Sequence, residues 1–173
     1  MYYLKEMIGE QKVNQALRSL LDAFAYRKPP YATSLHALRA LKQVTPDSLA
    51  YLVQDGFETI TLFSNRVLTA TSRKVADGYE VKVTFAAEKF RADSMGKETP
   101  QPVNDYIDVA CFSRPEGQAE YGKKLFYQRR KISGKENQLT FKTKEAPYLF
   151  GVDPYHFLID RNPDDNTQRI SEE

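Results

Sequence analysis

The sequence predicts an α+β protein, with about four N-terminal helices followed by an antiparallel β-sandwich of Ig-like form. Three observations predict it. Apolar residues recur at the helical period through roughly the first third of the chain. From about Thr61 that period shortens to two. Asp77-Gly78 then joins two alternating runs, which is the strongest short hairpin signal. The expected division is residues 1–62 helical and 63–173 strand-rich, with the change near Phe63-Ser64-Asn65.

The helices follow in order. A short apolar helix carries Tyr3, Leu4, Met7 and Ile8, and Gly9 is placed to stop it. Val13, Ala16, Leu17, Leu20, Leu21 and Phe24 then form one amphipathic stripe, with Lys12, Arg18 and Asp22 off it. Arg27-Lys28-Pro29-Pro30 ends that helix, because a residue before proline avoids the helical region. Thr33 and Ser34 are candidate N-caps for a third helix with Leu35, Leu38 and Leu41 inward. Thr45-Pro46-Asp47 supplies a hydroxyl, a first-turn proline and an acid for a fourth, which carries Leu49, Leu52, Val53 and Phe57.

The strands follow the same logic. Val81, Val83, Phe85 and Ala87 alternate with Lys82, Thr84 and Ala86, and 67–75 is their expected hairpin partner. Ile107, Val109 and Cys111 alternate with Asp108 and Ala110. Leu125 and Tyr127 form a third alternating run, Leu139 and Phe141 a fourth, and residues 134–137 turn between those two. Residues 163–173 are almost entirely polar and are expected to fray. The 21 tyrosines and phenylalanines are assigned to the core.

Composition narrows the chemistry. A single cysteine, Cys111, excludes an intrachain disulfide framework and any multi-thiolate zinc site. The two histidines, His36 and His156, stand 120 positions apart. With 25 basic and 23 acidic residues, no electrostatic case for nucleic acid arises. No apolar run approaches the ~20 residues of a membrane-spanning helix, so no direct membrane insertion is expected.

No catalytic, cofactor-binding or metal-binding residue is assigned. His36 is expected at a surface or boundary position near a helix start. His156 is expected on a strand, partly buried. Asp160-Arg-Asn162-Pro-Asp164-Asp165 imitates the first half of a calcium loop, but lacks its sixth-position glycine and has Ser171 at the twelfth. It is therefore expected to be a solvated turn. Lys123-Lys124 and Arg129-Arg130-Lys131 flank a strand as charges that guard an edge do. Cys111 lies in an apolar alternation and is expected to be buried and inert.

The order of these signals resembles a known family. The opening Met1-Tyr-Tyr-Leu-Lys-Glu-Met-Ile-Gly-Glu10, the helix through Phe24-Ala-Tyr26, Thr33-Ser34, and the segment Leu49 to Phe57 before the strands are similar to the region downstream of the active site in M1-family zinc aminopeptidases. Gly151-Val-Asp-Pro-Tyr155 and Asp160 to Asn166 are most similar to bacterial proteins in which an M1-type peptidase domain is fused to an ABC-transporter permease. The resemblance implies that residues 1–62 are the last helices of a thermolysin-like domain and that 63–173 are the sandwich after it. It implies zinc in the parent and none in this chain. The zinc motif and the transition-state tyrosine would lie before Met1, because Leu-Lys-Glu after Tyr2 and Tyr3 does not match the step that follows that tyrosine. The implied partner is the catalytic domain of the parent, whose place would be a bacterial inner membrane. The competing expectation is a freestanding protein-interaction module. Separation from such a domain would expose the apolar faces of the short first helix (Tyr2, Tyr3, Leu4, Met7, Ile8) and lead to self-association.

Overall fold

The computed structural model describes residues 1–173. The protein is α+β, and its helices come first. The chain divides into two compact units. One comprises Met1–Thr61 with Ala92–Met95, and the other Leu62–Arg91 with Gly96–Glu173.

The helical unit contains α1 (Tyr2–Ile8), α2 (Glu10–Phe24), α3 (Ser34–Val44) and α4 (Ala50–Val53). Gly9 separates α1 from α2 at φ +91°, donating its N–H to Lys5 O. α2 stops at Phe24, earlier than the two prolines require, and Tyr26 follows at φ +57°. A 3-10 turn (Asp47–Leu49) leads into α4, and a π-type turn (Gln54–Glu58) leaves it. The unit's core joins Leu4, Val13, Ala16, Ala40, Leu41, Leu52 and Val53. Several apolar residues expected inside lie outside it. Leu17, Leu21, Leu35 and Phe57 are all exposed. A stripe predicts only which face of a helix is apolar; α2 and α3 cover each other over part of that width and leave the rest open.

The second unit contains β1 (Ile60–Val75), β2 (Gly78–Ala92), β3 (Glu98–Gln101), β4 (Asp105–Phe112), β5 (Lys124–Ile132), β6 (Glu136–Thr143), β7 (Leu149–Val152), β8 (Thr167–Arg169) and β9 (Ser171–Glu172). One sheet runs β3-β2-β1-β9 with β6 also paired to β2, and the other runs β5-β4-β7-β8. β6 pairs with β2 antiparallel and β9 with β1 parallel, so the first sheet is mixed. Val81, Val83 and Phe85 from the first sheet share one core with Ile107, Val109, Phe150 and Val152 from the second.

The β1–β2 turn is Ala76-Asp77, and Gly78 already opens β2 at φ +122°. A Cβ there would stand 2.2 Å from Thr143 O on β6. Glycine is thus required by close backbone approach as well as by its dihedral. Burial in β1 switches parity, from Phe63 and Asn65 to Ala70 and Ser72. The sixteen-residue strand therefore does not present one face throughout.

Three expectations are corrected here. Residues 163–173 do not fray: β8 joins one sheet, β9 the other, and Ile170 packs against the core. Strands this short hold by backbone bonds, such as Glu173 N–H to Ser72 O at 2.9 Å, and need few apolar side chains. His156 is not on a strand; it is exposed in a turn at φ +53°. The aromatics are not all core, since Tyr2, Tyr26, Tyr31, Tyr127 and Tyr155 are exposed.

Candidate functional site

The inward row of β2 continues one step beyond Ala87 and reaches Lys89. The inward row of β4 begins one step before Ile107, at Asp105. Lys89 Nζ donates to Asp105 Oδ1 at 2.9 Å, with both side chains under 10% exposed. The ammonium also lies 5.5 Å from the centroid of the Phe63 ring. An isolated buried charge would be very costly, so each row of apolar residues ends in the other's counter-ion. Lys89 also lines a cleft of about 270 Å³ together with Phe90, Pro100, Pro102, Val103 and Ser133.

A second polar cluster forms on the opposite face of β4. That face carries Asp108, Ala110 and Phe112, all buried, so β4 is covered on both sides. Asp108 pairs across the sheet with Arg129 of β5. Its carboxylate accepts Arg129 Nε at 2.6 Å, Arg129 Nη2 at 3.0 Å and the Tyr127 hydroxyl at 2.7 Å. Burial, and then the hydrogen bond to Asp108, push the Tyr127 phenol up to about 12.

The turn after β7 completes this cover. Asp153 is buried at φ +46° and donates its N–H to Asp108 O at 2.7 Å. Its carboxyl accepts the N–H groups of Phe157 and Leu158 at 3.0 and 2.9 Å. Burial raises that carboxyl to about 7, opposed by the two N–H donors and reinforced by Asp108 and Asp160. Tyr155 contacts the rings of Phe112, Tyr121, Tyr127 and Phe157. Tyr121 donates its hydroxyl to Pro154 O at 2.9 Å. The hydroxyls of Tyr121 and Tyr127 and both carboxylates are thus turned toward the protein itself. The cluster clamps the 153–158 turn over the sheet.

The residues singled out from sequence occupy structural positions. His36 completes the start of α3: Thr33 N–H donates to His36 Nδ1 at 3.1 Å, and the ring packs on Phe24 at 4.5 Å between centroids. A histidine three residues after the cap takes the place that glutamate fills in a capping box. Cys111 is fully buried, and burial pushes its thiol up to about 12. The Asp160 carboxylate accepts Asn65 N–H at 2.7 Å and Asn162 N–H at 3.0 Å, so the start of the calcium-like segment anchors to β1, while residues 161–164 are exposed and lead into a 3-10 turn. β5 is an edge strand, but Lys124 and Arg129-Arg130-Lys131 lie within it instead of flanking it, and Arg129 is spent on Asp108.

The helical unit holds one further feature. A cleft of about 360 Å³ lies between α2 and α3, lined mainly by Ala16, Leu17, Leu20, Leu35, Leu38 and Leu41. No helix of the chain is long and apolar enough to cross a membrane. No known protein family's sequence profile matches the chain. No curated protein matches it either.

Proposed function

We propose that the chain is the non-catalytic C-terminal region of an M1-type zinc metallopeptidase. On this reading residues 1–62 end the helical catalytic domain, and 63–173 are an Ig-like β-sandwich that follows. The parent would hydrolyse N-terminal peptide bonds, its zinc polarising the carbonyl and activating water. This chain would contribute packing and domain spacing, and no residue of it would touch the reacting atoms.

One observation carries the reading. The helical unit turns Tyr2, Tyr26 and Tyr31 outward, all 70% exposed or more. On this reading those rings face a neighbouring domain. The resemblance of the helical segment names a catalytic domain as that neighbour. The strand-rich unit supports the same reading, because its two buried ion pairs serve structure, Lys89–Asp105 between the sheets and Asp108–Arg129 within one of them.

A second reading, a freestanding interaction module, is favoured by the apolar cleft between α2 and α3. The coding sequence upstream of the Met1 codon separates the two. An in-frame His-Glu-x-x-His within a few hundred codons supports the peptidase reading. An in-frame stop codon just before Met1 overturns it and leaves the interaction module.

A further inference from the structure

We infer that the α2/α3 face is a two-fold interface between two copies of this chain, with the two α2 helices antiparallel. The face has a ridge and a hollow side by side. Leu17 is 40% and Leu21 62% exposed, and they form the ridge. The hollow beside them is the cleft lined by Ala16, Ala37, Ala40, Leu20, Leu35 and Leu38. Leu17 belongs to both, so the apolar surface is continuous. A surface carrying a knob and a hole together is self-complementary under a two-fold rotation, which buries each feature twice.

Charge selects the occupant and its direction. Glu10, Asn14, Leu17 and Leu21 fall at i, i+4, i+7 and i+11, so they share one stripe of α2. The stripe begins with an acid at Glu10 and runs toward Arg27-Lys28 just past the helix end. These three side chains are exposed and make no ion pair within the chain. A parallel arrangement would set like charges together. An antiparallel one brings the Glu10 end of each copy to the Arg27-Lys28 end of the other, twice per dimer. None of the tyrosines that carry the proposed docking to a parent domain lines this cleft, so the inference goes beyond that reading.

Sedimentation equilibrium of the full chain tests it. Wild type should be a dimer in reversible exchange with monomer. Leu21→Glu should weaken the dimer at least about tenfold, with the circular-dichroism spectrum and melting curve unchanged because the site is exposed. Glu10→Lys should weaken it, and adding Arg27→Glu and Lys28→Glu in the same chain should restore it. That rescue requires the antiparallel pairing. A monomer at the highest soluble concentration overturns the inference and leaves the cleft for a segment of another polypeptide. A dimer indifferent to Leu21→Glu and Glu10→Lys overturns it as well, by placing the contact elsewhere.

Discussion

Lys89 and Asp105 neutralise each other where the inward rows of β2 and β4 run out, 2.9 Å apart. Each belongs to a different sheet, so the pair ties the two sheets at one end of their shared core. Such a pair is expensive to desolvate and costly to break by halves. Lys89→Met alone should cost about 3–5 kcal/mol, because it strands the Asp105 carboxylate. The double variant Lys89→Met, Asp105→Leu should recover most of that loss. Urea denaturation of both variants checks it, and a double variant no better than the single one would refute the coupling.

The register of β2 gives a second expectation. Phe85 is 1% exposed and its ring lies 6.3 Å from that of Phe150 on the other sheet. Phe85→Ala should cost ~3–5 kcal/mol, while solvent-facing Lys82→Ala should stay within roughly ±0.5 kcal/mol. Gly78→Val should exceed the ~1–3 kcal/mol of a strained backbone, because its Cβ would also displace Thr143 O on β6. Chemical denaturation of the three variants gives the ranking. Equal losses at Lys82 and Phe85 would invert the face assignment.

Asp108 and Arg129 form the corresponding pair on the outer face of β4. Arg129→Ala leaves Asp108 buried with only the Tyr127 hydroxyl on its carboxylate. The expected loss is about 3–5 kcal/mol, with faster amide exchange in the 153–158 turn that rests on this cluster. Asp108→Asn should be milder, since an amide keeps one acceptor for Tyr127 or Arg129. Hydrogen exchange and denaturation together read both effects.

Asp153 predicts a pH dependence with a definite sign. Its carboxyl is raised from 3.8 to about 7, chiefly by burial. Between those values the folded chain keeps a proton that the unfolded chain has lost. Stability therefore falls as pH rises from about 4 to about 7, by up to about 4 kcal/mol from this group. Asp153→Asn carries no such proton and should flatten that slope. Denaturation midpoints measured across the window decide it; an unchanged slope would mean that other groups dominate.

Much of this architecture was legible in the sequence, and the failures share a physical cause. The helix starts, the Gly9 break and the inward row Val81, Val83, Phe85 depend on local chemistry within a few residues. The course of residues 163–173 depends on backbone bonds to β1 and β7, which polar side chains neither advertise nor forbid. Lys89 was visible as the next inward position after Ala87, and a lysine there demands a carboxylate. Asp105, two residues before Ile107, was the matching signal. The outward leucines of α2 and α3 were not legible, because a helical stripe states that a face is apolar and not what covers it. Nor was the cover over β4, where Ala110 and Asp108 look solvent-facing until the 153–158 turn is laid across them.

The claim most open to test is that this chain supplies packing and spacing and no chemistry of its own. The direct measurement is hydrolysis of amino-acid anilides by the purified chain, with zinc supplied and with a chelator present. The account predicts background rates in both conditions. Zinc-dependent turnover that the chelator abolishes would contradict it, and would place a working metal site within these 173 residues.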